Sequence, residues 1–219
     1  RVPCGLAVSH LPIKKGNSME LLSDWLPTIA RWLTAARLAP LVLMAAGAVI
    51  AGAKYPGYRH RAQVVSELGT SASPGARWFN AAWVLSGLLM GACAGGVWLL
   101  LDAPGVVLGL AVFALGTLLT GLFPCEPGCP PRPASASGRV HAVAGLMGAL
   151  GAVLAALAMG FWAADQAAAW TLTLSSLIVG GAGLALLFAT LGAIGTGFEG
   201  LLQRVFLLGV LVWLAGTAG

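Results

Sequence analysis

The chain has 219 residues, of which 58% are hydrophobic and 9% are charged, and its formal net charge is +5. Soluble domains carry about 25% charged residues, so this composition excludes an ordinary soluble fold and indicates a surface covered largely by lipid. Positive charge in such a protein is typical of topology signals and headgroup contacts, so we expect membrane lipid, and no nucleic acid, as a partner.

The N-terminal segment is expected to lie outside the membrane-spanning fold. Residues 1–18 lack the apolar core of a signal peptide and precede Met19, a plausible start, so we interpret them as a non-native or disordered tail. Residues 19–37 place Trp25 and Trp32 on one helical face, which predicts an amphipathic helix lying in the headgroup layer. A ragged start to the first span is the alternative interpretation.

Six apolar runs follow, and as helices they are expected to cross the roughly 30 Å of membrane hydrocarbon. They predict an all-α fold, a polytopic bundle of six transmembrane helices that fills residues 38–219, with both ends on the same side. A β-barrel is not indicated, because segments of alternating polar and apolar residues are absent. The expected spans lie at about residues 38–53, 79–101, 106–123, 140–162, 168–192 and 201–215.

The second expected span carries glycines at four-residue intervals, at Gly87, Gly91 and Gly95. Small residues at this spacing let two helix backbones approach closely within a membrane. The glycine face therefore predicts tight packing against another helix of the same chain or, as the open alternative, against a second subunit in an oligomer.

The loop between the first two expected spans is the densest polar segment of the chain. Arg59, His60 and Arg61 precede a Ser-Glu-Leu-Gly motif at residues 66–69. Loops longer than about 12–15 residues are usually functional or disordered, and the apolar dipeptide at residues 64–65 argues against disorder. We therefore expect this loop to re-enter the membrane or to lie on its surface.

With six spans, the loops after the first, third and fifth spans meet at one side of the membrane, which we call the motif face. Nearly all ionisable groups of the predicted bundle collect there, so we expect a polar pocket at this face. Three side chains are candidates for general acid or base catalysis: Glu67, His141 and His60. The residues expected to contact a ligand are Arg59, Arg61, Ser66, Asn80, Glu126, Arg139, Glu199 and Arg204. For any single residue of this set, ordinary solvation of a loop is the alternative.

The carboxylate of Glu67 lies between apolar neighbours, where an unpaired charge is unfavourable. Arg204, slightly inside the sixth expected span, likewise needs a partner. A planar guanidinium can meet a carboxylate with two parallel hydrogen bonds, so we expect Glu67 to pair with Arg139 or Arg204.

Two cysteines, Cys125 and Cys129, are predicted to form a disulfide in the loop between the third and fourth spans. Histidines and glutamates of the motif face are suitable metal ligands, but no His-Glu-x-x-His or Cys-x-x-Cys spacing is present, so no metal site is predicted. Phosphate-binding and dinucleotide-binding glycine motifs are also absent, and we expect no cofactor.

Three motifs carry a family resemblance, and they lie at residues 66–69, 78–80 and 121–129. Through these motifs the chain resembles the domain-of-unknown-function 998 membrane proteins over about residues 38–216. Family members often have aspartate where Glu126 stands, which keeps the carboxylate. The resemblance implies a bacterial or archaeal six-helix membrane protein, and it implies no established activity.

Two classes of function fit these patterns. The first is an enzyme or transferase for a lipid or lipid-linked substrate, whose anionic headgroup would meet Arg59, Arg61 and Arg139, with Glu67 or His141 as general base. The second is a non-enzymatic accessory membrane protein that binds a lipid or a partner.

The signals for membrane orientation conflict. The excess of lysine and arginine at the motif face predicts a cytoplasmic location for it. The predicted disulfide favours the opposite side, because disulfides persist outside the cytoplasm, and cations that serve a site are not topology signals. We expect a multi-pass protein of the cell inner (plasma) membrane with an extracytoplasmic motif face.

Overall fold

The computed structural model describes residues 26–168 and 170–217, and these ranges contain helices and no β-strand. All six long helices are apolar and long enough to cross a membrane, which confirms the predicted six-span, all-α fold of a multi-pass membrane protein. A short 3₁₀ helix, Val65–Gly69, interrupts the loop between the first two. The long helices are α1 Leu26–Lys54, α2 Ala76–Leu100, α3 Pro104–Leu122, α4 Ala136–Asp165, α5 Trp170–Gly192 and α6 Glu199–Gly216.

Helix α1 begins at Leu26 and continues without a break to Lys54. The described part of the expected interfacial helix, residues 26–37, is therefore continuous with the first span, and a separate N-terminal helix is not confirmed. The expected tail at residues 1–18 and the start of that helix lie outside the described residues.

Local chemistry explains where the other helices begin. Pro104 starts α3, where the N–H that proline lacks would have had no partner inside the helix. Helix α4 begins at Ala136 rather than near residue 140, because the hydroxyl of Ser135 accepts a hydrogen bond from the Gly138 N–H at 3.0 Å. A serine at this position satisfies one of the backbone donors that the first turn leaves unpaired.

The six helices form a ring in chain order, since each packs against the next and α6 packs back on α1. Large side chains fill the ring from its middle towards the end opposite the motif face, among them Met90, Val106, Val210 and Trp213. The indole N–H of Trp213 donates to the buried hydroxyl of Ser176 at 2.9 Å. The motif-face end of the ring is filled differently, by the loop that carries the Ser-Glu-Leu-Gly motif.

Glycines hold α2, α3 and α4 in close backbone contact. A Cβ atom added at Gly87 would lie 2.6 Å from the Leu118 backbone nitrogen, and one added at Gly116 would lie 2.5 Å from the Gly148 Cα. The predicted glycine face is thus used inside the chain at Gly87, whereas Gly95 has open space around it. Backbone approach of this kind supplies the dispersion contacts that hold membrane helices together.

The Gly116→Ala substitution is expected to destabilise the bundle, because its methyl group would collide with the backbone of α4. Overpacking of this kind lowers the free energy of unfolding by about 1–3 kcal/mol. The matched control is Gly95→Ala, which meets nothing within 4 Å and should be neutral or slightly stabilising, since alanine favours helix. Thermal unfolding in a mild detergent, followed by tryptophan fluorescence, measures both, and equal midpoints would contradict the packing described.

Candidate functional site

The Ser-Glu-Leu-Gly motif forms the 3₁₀ helix, and this helix is inserted into the motif-face end of the ring against α1, α2 and α6. Leu68 is completely buried. The Thr70 hydroxyl donates to the Glu67 carbonyl oxygen at 2.9 Å, and the Asn80 side-chain N–H donates to the Gly69 carbonyl oxygen at 2.9 Å. The polar loop is thus inserted into the bundle, and the hydrogen bond from Asn80 links it to α2.

Arg204, on the first turns of α6, clamps this first loop (residues 55–75) to the bundle. Its guanidinium donates to the carbonyl oxygens of His60 and of Gln63, the latter at 2.9 Å, and to that of Gly200 at 2.8 Å. It also donates to the Tyr58 hydroxyl. Arg204 is therefore satisfied by four neutral oxygen atoms, two of them on the loop backbone.

Further contacts from α6 complete the docking of the first loop. The Leu201 N–H donates to the Arg61 carbonyl oxygen at 2.9 Å, and the Gln203 side-chain oxygen accepts from the Val65 N–H at 2.6 Å. Gly200 lies directly against the loop, since a Cβ there would come within 2.8 Å of the His60 carbonyl oxygen. Only glycine allows this approach.

The Arg204 guanidinium also affects the pKa values of the neighbouring side chains Tyr58 and His60. Burial raises the pKa of Tyr58, and the Arg204 guanidinium opposes that rise. Partial burial and the same guanidinium lower the pKa of His60 from its usual value. His60 stacks edge-on against Tyr58, with ring centroids 5.0 Å apart, and its role here is to pack the loop.

The loop between α3 and α4 (residues 123–135), which we call the disulfide loop, covers the 3₁₀ helix. Cys125 and Cys129 lie at disulfide distance, as predicted, with Cα atoms 5.3 Å apart. The Cys125 sulfur lies 3.5 Å from the Ser66 carbonyl oxygen. Both carboxylate oxygens of Glu126 accept from backbone N–H groups, those of Ser135 and Ala134, and hydrogen bonding by Ser135 lowers the pKa of Glu126.

A cavity of about 640 Å³ lies below these two loops, inside the ring. At the motif face its wall includes the side chains of Glu67, His141 and Gln203. Deeper in the bundle the wall is apolar, with Trp83 and Phe113 among its residues. One continuous space therefore joins a polar end at the membrane surface to an apolar interior.

Glu67 is only 8% exposed and faces this cavity. Its Oε1 atom accepts from the Gln63 side-chain N–H at 2.8 Å, and within the described part of the chain no hydrogen bond or ion pair reaches Oε2. The expected pairing of Glu67 with Arg139 or Arg204 is wrong. Arg204 donates to the carbonyl oxygens of Gln63 and Gly200, and Arg139 donates to the Ala134 carbonyl oxygen at 2.7 Å. These backbone carbonyls lie closer to the two guanidinium groups than the Glu67 carboxylate does.

His141, on the second turn of α4, also lines the cavity. Its Nδ1 atom lies 2.9 Å from the Phe123 carbonyl oxygen. A carbonyl oxygen can only accept, so Nδ1 carries the proton, and in the neutral ring Nε2 is the acceptor. The second nitrogen of His141 is therefore able to accept a proton or a hydrogen bond.

The structure brings some of the predicted site residues together and separates the others. Those that line the cavity are Ser66, Glu67, Glu126, His141 and Glu199. Those that do not line it are Arg59, His60, Arg61, Asn80, Arg139 and Arg204. No group of three or more histidines, cysteines, aspartates or glutamates in residues 26–168 and 170–217 is arranged to hold a metal ion.

Sequence reasoning missed Gln63 and Gln203, which link the motif to the rest of the site. Neither carries a charge, so neither stood out beside the arginines. The signal that was available is the position of Gln203 inside a predicted apolar span, where a polar side chain needs a partner.

A comparison with known protein families gives one match: the family described as protein of unknown function (DUF998) matches residues 38–219. No curated protein and no solved structure matches the chain. The matched residues contain the six predicted spans, both loops and the whole wall of the cavity.

The Arg204→Lys substitution is expected to destabilise the protein, because one ammonium group cannot reproduce the planar fork that spans several carbonyl oxygens. Loss of charge-assisted hydrogen bonds should lower the free energy of unfolding by about 1–3 kcal/mol. The control is Arg59→Lys, at an exposed side chain for which no hydrogen bond or ring contact is described; its effect should stay within about 0.5 kcal/mol. Limited proteolysis should also cut the first loop faster in Arg204→Lys, and equal stability and cleavage in both variants would refute the clamp.

Proposed function

The chain belongs to the DUF998 family, whose description assigns no activity, and we propose that it binds a lipid or a lipid-linked molecule in the cavity at the motif face. The observation that carries this proposal is the amphipathic wall of that cavity. Ligand pockets in proteins commonly measure about 300–1,000 Å³ and combine apolar walls with a few placed polar groups. An amphiphile would bury its chain beside Trp83 and Phe113 and hold its polar end near Glu67 and His141.

The packing of α4 on α5 supports access from the bilayer. Far from the motif face the two helices touch, and a Cβ at Gly160 would lie 2.7 Å from the Leu177 side chain. Near the motif face, Leu146 on α4 and Leu191 on α5 both line the cavity, yet they are 43% and 47% exposed. Cavity-lining residues with this much exposure fit a side opening between the two helices, through which a lipid headgroup could enter while its tail stays in the membrane.

The chemistry at the polar end is compatible with catalysis. The Oε2 atom of Glu67 and the Nε2 atom of His141 are both acceptors, and either could take a proton from a hydroxyl group or a water molecule in the cavity. Such a base would serve a hydrolase or transferase that acts on a lipid-linked substrate. Binding of the amphiphile is the step that this activity requires.

A non-enzymatic accessory role is the second candidate, and a specific observation favours it. Glu126 and Arg204, which stood out in the sequence, both use their charged groups to hold loop backbone. The site is then a receptor for a lipid, with Glu67 and His141 as binding groups.

We propose an extracytoplasmic motif face in the plasma membrane. The disulfide supports this orientation, because such bonds persist in oxidising compartments. Three of the arginines that argue for the cytoplasm are engaged in the fold: Arg204 and Arg139 bond to carbonyl oxygens, and Arg61 stacks on Phe198. Cations held this way are weak reporters of topology.

The Gly145→Trp substitution should fill the cavity and exclude its ligand. Gly145 lines the cavity, and a Cβ there would meet only the Thr120 methyl group at 3.7 Å, so the side chain can extend inward. The control is Gly181→Trp on α5, where a Cβ meets nothing within 4 Å and the residue does not line the cavity. Native mass spectrometry after gentle delipidation should show a retained lipid in the unmodified protein and in Gly181→Trp.

The retained lipid should be lost in Gly145→Trp, provided that this variant elutes as a single folded species. Equal retention in all three proteins, or no retained lipid in any of them, would contradict the proposed function.

A further inference from the structure

The ionisable side chains around the cavity are mostly acidic. Its ionisable wall residues are Glu67, Glu126, Glu199 and His141, and no lysine or arginine lies among the described residues that line it. Glu126 uses both oxygens on the disulfide loop, and Glu199 accepts from the Gly197 N–H at 2.8 Å. Glu67 is the buried carboxylate among the three, and no hydrogen bond from a described group reaches its Oε2 atom.

The burial of Glu67 makes its charge balance important. A carboxylate taken out of water is strongly unfavourable unless it is paired and hydrogen-bonded. At 8% exposure Glu67 has one neutral amide donor, from Gln63. The guanidinium of Arg204 docks the same loop, but it donates to backbone oxygens and to Tyr58. The described part of the chain therefore supplies no cation to this carboxylate.

The polar side chains of Glu67 and His141 at the cavity share one property, which is that each carries a hydrogen-bond acceptor. The Oε2 atom of Glu67 is an acceptor, and Nε2 of His141 is one as well while Nδ1 donates to the Phe123 carbonyl oxygen. A ligand that satisfies them must donate. A phosphate group has only oxygens to offer and would be repelled by the glutamates, whereas an ammonium group brings several N–H donors and a positive charge.

We propose that the polar group recognised in this cavity is a primary ammonium, so that the ligand is an amine-bearing amphiphile and Glu67 is its main contact. This inference rests on the proposed function and narrows it. It also reverses the expectation of an anionic headgroup held by Arg59, Arg61 and Arg139, none of which lines the cavity.

Three probes with the same alkyl chain test the inference: dodecylamine, dodecanol and dodecyl phosphate. Each is titrated into the purified full-length chain in a non-ionic detergent at neutral pH, and displacement of the retained lipid is followed by native mass spectrometry. The amine is expected to bind about ten-fold or more tightly than the phosphate, as a charge-assisted hydrogen bond to a buried carboxylate implies. Non-specific attraction would give the opposite order, since the chain carries a net charge of +5.

The Glu67→Gln substitution should remove the preference for the amine over dodecanol and over dodecyl phosphate. Glu199→Gln is the matched control and should keep the preference, because it removes another carboxylate of the cavity wall while its amide oxygen can still accept from the Gly197 N–H. The comparison of the three probes on the unmodified protein needs no variant, so the test stands even where Glu67→Gln fails to fold.

Each outcome is decisive. Tighter binding of dodecyl phosphate, equal binding of dodecanol and dodecylamine, or an unchanged amine preference in folded Glu67→Gln overturns the ammonium inference and leaves the proposed function intact. Failure of all three probes to bind overturns the proposed function itself.

Discussion

The architecture of the motif face depends on how one guanidinium group is satisfied. Arg204 enters the bundle on α6, where an unpaired cation would be unfavourable, and it resolves this by donating to carbonyl oxygens of the first loop and of its own helix. Carbonyl oxygens are fixed by the backbone, so the guanidinium holds the loop in one conformation. The same contacts join α6 to the loop that follows α1, at the point where the ring of helices closes.

That arrangement determines the character of the cavity. Gln63 connects the two charged groups, because its backbone carbonyl accepts from Arg204 while its side-chain N–H donates to Glu67. The Arg204 guanidinium is thus stabilised by backbone carbonyl groups, whereas the Glu67 carboxylate is left facing the cavity. A direct ion pair between Arg204 and Glu67 would have occupied the carboxylate oxygens. Because the two groups are separate, the Oε2 atom of Glu67 can accept a hydrogen bond from a ligand.

The fold was largely predictable from the sequence, and the site was predictable only in part. Bilayer thickness sets the length of an apolar run, so the spans could be counted. The apolar dipeptide beside the motif left two alternatives for the loop, re-entry or a position on the membrane surface, and the structure packs the motif against three helices of the ring. The predicted partner of Glu67 was wrong because a sequence suggests pairs of opposite charge, whereas a backbone carbonyl that binds an arginine leaves no signal in the sequence. Gln203 gave a sequence signal as a polar side chain inside an apolar span, but its partner, the Val65 N–H, is a backbone group that only the three-dimensional arrangement reveals.

The most direct test of the central claim is a high-resolution electron cryomicroscopy map of the protein in lipid nanodiscs, prepared from its native membrane without added ligand. We expect elongated density in the cavity, with its polar end at hydrogen-bond distance from Oε2 of Glu67 and its chain directed towards the proposed opening between α4 and α5. A map in which Glu67 pairs with an arginine of the same chain, with helices α4 and α5 closed over a collapsed cavity, would contradict it.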